Sequence, residues 1–376
     1  MNIAIFAARN TQLNYANELS SYLKSNHNID LLILWHKHLI LNLGALFYNP
    51  SPAANDLNQI IDTFYKTKQN EPLNINKKYS IGSFRFIKRI HALILYKIYS
   101  YSFHKSKVTH LLIWNGLKFR QQIAVLAAKK SKIKCLYIER GVFPNTTTLD
   151  KNGINYINSV PRDVAFYENY NSDTQPPRLN ENSARPSNLP EKYIFIPFQV
   201  NTDSQVVLFS PWIKNMFDLI DIVRNAVHEE SDIPTIVFKQ HPSCPQDYSE
   251  VIKEIESTTN KIKFINNIPA STLITHSCAV ATINSSIGME ALLRGKNLIV
   301  MGQAFYSIEK ICLQATSISS LTDAFNIIER WAPEKKLAEN FLKYLKNEYV
   351  IYGYWKNSEE KHLLKMSEKI IKYTDE

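Results

Sequence analysis

The chain has 376 residues, and 45% of them are apolar, which gives enough length for two or three domains with cores of their own. That composition excludes an intrinsically disordered protein. The four cysteines lie far apart without a CxxC pair, so neither a zinc knuckle nor a disulfide framework is expected. Most of them are expected as small buried residues in a reducing compartment.

One segment supplies the whole net charge of +10. Between Pro72 and Ile138 there are 14 Lys and Arg and no Asp or Glu, whereas the remainder carries 30 basic and 34 acidic residues. Such a local field favours an anionic partner, namely acidic lipid, an acidic substrate or nucleic acid. No nucleic-acid-binding motif accompanies the charge, so we expect no nucleic-acid partner.

The amino-terminal sequence MNIAIFAARN lacks the basic start, apolar stretch and cleavage site of a signal peptide, and it predicts a buried strand. No apolar run reaches the ~18 residues that a bilayer span requires. We therefore expect a cytoplasmic protein that at most rests on the inner face of the cytoplasmic membrane.

Short apolar runs alternate with helical patterns along the chain, which predicts parallel sheets covered by helices. The predicted strands of the first half are Asn2–Phe6, Asp30–Trp35, His110–Trp114 and Cys135–Ile138. Those of the second half are Tyr193–Pro197, Thr235–Lys239, Ile262–Ile265, Ala279–Ile283 and Leu298–Met301. The expected fold class is α/β, with two Rossmann-like domains that face a cleft at the carboxyl ends of their strands.

A stretch rich in Asn, Ser and Pro, from Asn169 to Pro190, has the composition of a linker. We therefore expect a first domain over residues 1–170, a linker over 171–192 and a second domain over 193–332. Residues 333–376 are predicted to form helices that pack back on the first domain.

The basic segment contains a predicted amphipathic helix from Ser83 to Phe103. Its apolar stripe consists of Ile87, Ile90, Ile94, Ile98 and Tyr101, with Arg85, Lys88 and Arg89 on the other side and Lys97 beside the stripe. A helix of this kind is typical of a protein that lies on an anionic membrane. The alternative is that the stripe packs on the sheet and the charges are solvated.

Four polar segments follow predicted strands. After the strand that ends at Ile283, a helix begins near Ser285 and Ser286, and its free N–H groups and positive dipole end favour phosphate. Gly288 would let a ligand or strand approach closely. The alternative is an ordinary N-cap.

The second segment, Lys239-Gln240-His241-Pro242, ends another strand on the same rim. His241 can donate to a phosphate and, when protonated, stabilise a departing one, while Pro242 fixes the turn. A structural histidine is the alternative.

In the third segment, Asp203 follows the first strand of the second domain, where a carboxylate can act as a nucleophile or a base. An Asx-turn or N-cap is the alternative. In the fourth, Glu139 ends a strand of the first domain, before Arg140 and Gly141, and is expected to face the cleft. The alternative is a simple Glu–Arg surface pair.

Several signatures are absent from the sequence. It has no GxGxxG, Walker loop, HExxH or DxD motif, and its histidines lack metal-ligand spacing. We therefore expect no metal and no cofactor.

The ordered set of motifs resembles the capsule polysaccharide synthesis family, the retaining β-Kdo transferases of Gram-negative capsule assembly, and most of all its single-module, KpsS-like branch. The motifs are QVNTDSQV (Gln199–Val206), KQHP (Lys239–Pro242), INSSIGMEALLRGK (Ile283–Lys296), GQAFY (Gly302–Tyr306), WNG (Trp114–Gly116) and IERG (Ile138–Gly141) with the trailing TLDKNGIN. They cover about Leu111 to Ile311.

The resemblance implies CMP-Kdo as donor, no metal, and a lipid or glycolipid acceptor such as lysophosphatidylglycerol. It implies Asp203 as the nucleophile of a double displacement, and we expect Glu139 and His241 to assist. The implied donor-binding residues are Gln199, Lys239, His241, Pro242, Asn284, Ser285, Ser286, Gly288 and Glu290, and those on the acceptor side are Asn115, Arg140 and Gly141.

One position departs from the family, which has a second acid where this chain has Arg140. The donor is therefore CMP-Kdo or a different activated sugar on the same scaffold. A third hypothesis is a non-catalytic nucleotide-sugar-binding subunit that joins other capsule assembly proteins.

Overall fold

The structure, a computed structural model, describes residues 2–51, 53–71, 81–179, 183–227 and 232–375. Residues 72–80 of the basic segment and 180–182 of the predicted linker lie outside the described residues. The strands are β1 (Ile3–Ala7), β2 (Leu31–Trp35), β3 (His110–Trp114), β4 (Lys134–Arg140), β5 (Thr146–Asp150), β6 (Tyr193–Pro197), β7 (Thr235–Lys239), β8 (Ile262–Phe264), β9 (Ala279–Thr282), β10 (Asn297–Val300), β11 (Leu313–Gln314) and β12 (Val350–Tyr352).

The α-helices are α1 (Asn10–His27), α2 (His36–Leu39), α3 (Ala54–Gln69), α4 (Ile81–Lys105), α5 (Phe119–Lys130), α6 (Val164–Glu168), α7 (Ser204–Phe209), α8 (Met216–Ala226), α9 (Ser249–Thr258), α10 (Ala270–His276), α11 (Ser286–Leu293), α12 (Ile318–Ile327), α13 (Lys335–Tyr344) and α14 (Glu360–Asp375). Short 3-10 helices lie at Leu43–Phe47, Asn155–Ile157 and Trp355–Asn357, and a π-helical turn at Leu345–Tyr349. All nine predicted strands are present, with ends that move by at most two residues.

The described residues form two compact units. The first contains residues 2–66, 81–159 and 349–375, and the second contains 67–71 and most of 160–348. Each unit has its own six-stranded sheet, which confirms the α/β fold with two Rossmann-like domains.

The sheet of the first unit has the order β12-β5-β4-β3-β1-β2. β2, β1, β3 and β4 are parallel, β5 is antiparallel to β4, and the edge strand β12 is antiparallel to β5. The chain passes from β1 to β2 on one side and then to β3 on the other. This reversal is the topological switch point, where ligands of open α/β sheets bind at the carboxyl ends of the strands.

The sheet of the second unit is entirely parallel, in the order β11-β10-β9-β6-β7-β8. Counted from β6, this is the 3-2-1-4-5-6 order of the doubly wound nucleotide-binding fold. All five residues of β6, YIFIP, are buried, as expected for a central strand covered on both faces. The switch point here lies between β6 and β9.

The carboxyl-terminal segment returns to the first unit through β12 and α14. α14 packs on α1, where His362 Nε2 and the Tyr15 hydroxyl are 2.9 Å apart in a buried hydrogen bond. α13 differs, since it packs on α6 in the second unit, with Phe341 against Tyr167. The expected return is therefore confirmed for α14, whereas the strand β12 was not predicted and α13 packs on the second unit.

The predicted amphipathic helix corresponds to α4, but its buried face differs from the predicted stripe. Ala92, Leu95, Tyr96, Tyr99 and Phe103 are buried, together with Ile98. By contrast, Ile87, Ile90 and Ile94 are exposed, so the first part of the stripe does not pack on the sheet. In the described part of the chain, no helix has the length and hydropathy needed to cross a membrane.

Candidate functional site

The loops after β6 and β9 meet at the switch point of the second sheet and are joined by hydrogen bonds. Gln199 Nε2 donates to Asn284 Oδ1 at 3.0 Å, and the Asn284 backbone N–H donates to Gln199 Oε1 at 3.2 Å. Asn284 Nδ2 also donates to the carbonyls of Gln205 and Phe209. Both side chains are buried, so they hold the two loops together.

A second buried amide fixes the remainder of the loop after β6. Asn201 accepts from the Met216 backbone N–H at 2.9 Å, and its Nδ2 lies 3.3 Å from the Tyr248 hydroxyl. Asn70 Nδ2 donates to the Asn201 carbonyl at 3.0 Å. The segment that leads to Asp203 is therefore held from several sides.

Asp203 is exposed and caps helix α7. Its Oδ1 accepts from the Gln205 backbone N–H at 2.8 Å and, more weakly, from the Ser204 hydroxyl at 3.4 Å. The N-cap that the sequence left open as the alternative is thus present. Oδ2 takes no part in these bonds, so one carboxylate oxygen stays available while the cap orients the group.

Helix α11 begins at the same edge of the sheet. The Ser285 hydroxyl accepts from the Ile287 backbone N–H, whereas Ser286, the first helical residue, is exposed. The Ile287 and Gly288 N–H groups thus both bond to Ser285, so among the described residues this helix start presents the Ser286 N–H and hydroxyl to solvent. Glu290 is half-buried one turn further along the helix.

The close approach expected at Gly288 is made by a side chain of this chain. A Cβ at Gly288 would lie 2.5 Å from the Tyr306 ring. Burial raises the pKa of the Tyr306 phenol well above its usual value, so its hydroxyl keeps the proton and donates to the Ser285 carbonyl. Tyr306 of the GQAFY motif thus holds the Ser285 carbonyl at the start of α11. Gly288 leaves the space that the Tyr306 ring occupies.

His241 follows β7, the strand next to β6, and is half-buried. Its Nδ1 accepts from the Ser243 backbone N–H at 3.1 Å, so in the neutral ring the proton is on Nε2. Pro242, in the same turn, is exposed. Lys239 donates to the Asn266 carbonyl, and burial lowers the pKa of its ammonium.

The acceptor-side residues lie at the carboxyl ends of β3 and β4 in the first unit. Asn115 Nδ2 donates to Glu139 Oε2 at 2.8 Å, and the Arg140 backbone N–H donates to Glu139 Oε1 at 3.0 Å. Asn115 has a φ of 63°, and Gly116 follows at 80°. Gly141 lies against Thr146, where a Cβ would clash in the tight turn from β4 to β5.

Asn115, Glu139 and Arg140 border a cavity of about 610 Å³ within the first unit. Its lining residues are Arg9, Asn10, Thr11, Gln12, Trp114, Asn115, Lys118, Gln121, Glu139, Arg140, Tyr354, Trp355 and Lys356. Sequence reasoning missed Arg9 and the Tyr354–Lys356 turn. Arg9 comes two residues after β1, so the rule that ligand-binding residues follow the ends of parallel strands could have found it. No local sequence pattern predicts that the turn after β12 lines the cavity.

The described residues contain no group of three or more His, Cys, Asp or Glu that could hold a metal ion. All four cysteines are free thiols, and Cys135 and Cys312 are buried.

A family model described as capsule polysaccharide biosynthesis protein matches residues 168–355, which include the loops after β6, β7 and β9. Protein FixF of Sinorhizobium fredii is 32% identical over 291 residues, or 75% of this chain and 70% of that protein.

The capsule polysaccharide export protein KpsS of Escherichia coli is 29% identical over 163 residues, or 42% of this chain and 40% of KpsS. The chain thus aligns with less than half of that relative. Among solved structures, the beta Kdo 2,7 transferase KpsC of Thermosulfurimonas dismutans is similar, with 18% identity and a TM-score of 0.46. That alignment covers 79% of this chain and 98% of the other.

Proposed function

We propose that this chain, which belongs to the capsule polysaccharide biosynthesis protein family, is a glycosyltransferase that builds a capsule or another surface polysaccharide. In this proposal the donor is CMP-Kdo, the acceptor is a lipid or glycolipid, and the transfer retains the anomeric configuration. Neither a metal nor another cofactor takes part.

One observation carries the proposal: hydrogen-bond donors gather at the carboxyl ends of the strands around the switch point of the second sheet. The start of α11 offers the Ser286 N–H and hydroxyl, and the loop after β7 carries His241, whose Nε2 can donate. Donors of this kind at a helix N-terminus suit the phosphate of a nucleotide sugar. Gln199 and Asn284 act as positioning residues, since the Gln199 side-chain amide is hydrogen-bonded to the side chain and the backbone of Asn284.

We assign the nucleophile to Asp203. In the first step its carboxylate attacks the anomeric carbon, and CMP leaves with the bonding electron pair. In the second step an acceptor hydroxyl attacks the same carbon and displaces the carboxylate, while Glu139 takes the hydroxyl proton. Two inversions give net retention. The bonds from Asn115 and from the Arg140 N–H fix the Glu139 carboxylate for this role.

For the location of the enzyme we propose the cytoplasmic face of the inner membrane, where a lipid acceptor and other capsule assembly proteins would be reached. The first unit exposes two apolar segments. One is the region of Ile40–Phe47, where Phe47 is 92% exposed, and the other is the outer face of α4 with Phe86, Ile87, Ile90 and Ile94. Neither Leu31–Asn55 nor Pro72–Ile138 contains an acid, which favours an anionic lipid surface.

The test is turnover of CMP-Kdo with a lysophosphatidylglycerol acceptor, with mass spectrometry of the product and NMR of the new linkage. A product heavier by one Kdo, in β configuration, is expected. A panel of other nucleotide sugars separates the first alternative, a different donor on the same scaffold. CMP binding without turnover of any donor would favour the non-catalytic subunit and contradict the proposed enzyme.

A further inference from the structure

The cavity of the first unit lies at a place where open α/β sheets bind ligands. It borders the carboxyl ends of β1, β3 and β4, on either side of the switch point between β1 and β3. The beginning of the 18-residue helix α1 forms one wall, since Asn10, Thr11 and Gln12 line it. With about 610 Å³, it has room for a sugar unit and its neighbour.

The charge of the cavity is strongly one-sided. Arg9, Lys118, Arg140 and Lys356 line it, against a single carboxylate, Glu139. In the part of the chain that the structure describes, none of these four cations forms an ion pair, although surface lysines elsewhere in the first unit do. The positive end of the α1 dipole adds to the same field. The electrostatic field of the cavity therefore favours anions.

Two buried donors in the wall also lack partners. Trp114 and Trp355 are at least nine-tenths buried, and neither indole Nε1 has a hydrogen-bond partner. Their rings contact each other, with centroids 5.5 Å apart, and both pack on Tyr15. Both side chains line the cavity, so their indole signals report on what binds there.

We propose that this cavity binds a negatively charged group of the acceptor, a carboxylate or a phosphate. The anion lies against Arg9, Lys118 and the first turn of α1, and the adjoining part of the acceptor lies near Trp355. The inference rests on the proposed function only in naming the ligand an acceptor.

The experiment follows the indole N–H signals of the intact protein by NMR, assigned through Trp→Phe variants. The carboxylate probe is Kdo, with its methyl ester as the neutral control, and the phosphate probe is glucose 6-phosphate, with glucose as its control. We expect a charged probe to move the signals of Trp114 and Trp355, while Trp212, whose indole already donates to the Met301 carbonyl in the second unit, stays in place. The charged probe that binds shows whether the site takes a carboxylate or a phosphate.

Arg9→Gln and Lys118→Gln should each weaken binding of that probe about tenfold, because each removes a charge-assisted contact. Lys134→Gln, which removes a charge from the opposite end of β4, should leave the affinity unchanged. Trp355→Phe keeps an aromatic ring in the wall and removes part of the indole surface, so it should weaken binding without unfolding the protein. The inference is overturned if neither charged probe moves the two signals, if the neutral controls bind equally well, or if Arg9→Gln and Lys118→Gln bind like the unmodified chain.

The two proposals fail in different ways. Probe binding without turnover of any nucleotide sugar removes the proposed enzyme and leaves the anion site in place. Turnover with normal acceptor affinity in Arg9→Gln and Lys118→Gln removes the anion site and leaves the enzyme in place.

Discussion

Asp203 caps α7 through Oδ1 and keeps Oδ2 out of that cap, an arrangement that lets one carboxylate orient itself and still react. Asp203→Asn should abolish turnover, because an amide is a poor nucleophile. Asn is as good an N-cap as Asp, so folding and CMP binding should be unchanged. Turnover assays, calorimetry with CMP and thermal melting check the three expectations together.

Without acceptor, a trapped intermediate should add the mass of one sugar to the peptide that carries Asp203. Ser204→Ala serves as the matched control, since it removes only the weak neighbouring hydroxyl contact at 3.4 Å and should keep turnover. Near-normal turnover of Asp203→Asn would contradict the assignment and make Glu139 the carboxylate to examine.

The Nε2 of His241 and the Ser286 hydroxyl are the side-chain donors that we assign to the CMP phosphate. His241→Ala should weaken CMP binding about tenfold, the value of one hydrogen bond to a charged group, and Ser286→Ala should do so less. Calorimetry measures both affinities. His276→Ala, at the end of α10 where β9 begins, is the control that removes a histidine from the opposite edge. Unchanged affinity in both test variants would rule out this phosphate site.

At the scale of elements, Asn284 joins the loop after β9 to the loop after β6 and to the end of α7. Asn284→Ala leaves the carbonyls of Gln205 and Phe209 and the amide of Gln199 without these partners. We expect a loss of about 2–4 kcal/mol in the free energy of unfolding, measured by urea denaturation. Asn260→Ala, at an exposed position of the same unit, should change it by less than about 0.5 kcal/mol. An equally small change for Asn284→Ala would show that the network is dispensable.

The sequence predicts well those elements that are buried and consist of continuous apolar runs. The nine predicted strands are of this kind, whereas β5 reads TTTLD and was missed. Its threonines are buried, and the Thr147 hydroxyl donates to the carbonyl of the distant Gly353. No local pattern shows such a partner. α4 is apolar on most of its faces, so periodicity could not tell which one is buried.

The candidate site shows the same limit. The rule that polar residues after parallel strands gather at one edge correctly brings Asp203, His241 and Ser286 to the second sheet. The rule does not predict that Gln199 and Asn284 hydrogen-bond to each other, or that Gly288 leaves space for the Tyr306 ring. Those outcomes depend on packing across the chain, which spacing alone does not specify.

For the whole molecule, we expect turnover that needs no metal. The sequence has no DxD motif, and the proposed phosphate donors are a helix N-terminus, a hydroxyl and an imidazole. Turnover should therefore continue in excess EDTA and gain little from added magnesium or manganese. A loss of turnover in EDTA that either metal restores would contradict this expectation.

Membrane binding is the second expectation at this scale, and it combines two forces. Each Lys or Arg near an anionic surface contributes about 1 kcal/mol before screening, and buried apolar side chains add a term that salt does not screen. Lys37 lies three residues before the exposed segment Ile40–Phe47, and Arg89 lies in the exposed part of α4. Binding should thus prefer anionic lipid, weaken with salt and retain a residual apolar part.

Flotation with liposomes of phosphatidylglycerol or of neutral phosphatidylcholine measures this preference. Phe47→Ser with Leu43→Ser should reduce the binding that survives high salt, because both side chains are more than 70% exposed and would leave the lipid. Lys37→Gln with Arg89→Gln should instead reduce the salt-sensitive part. Leu364→Ser, an exposed position on α14, is the matched control and should float like the unmodified chain. Equal flotation with both lipids, or with neither, would contradict the proposed attachment, and unchanged flotation of both test variants would place the attachment on another surface.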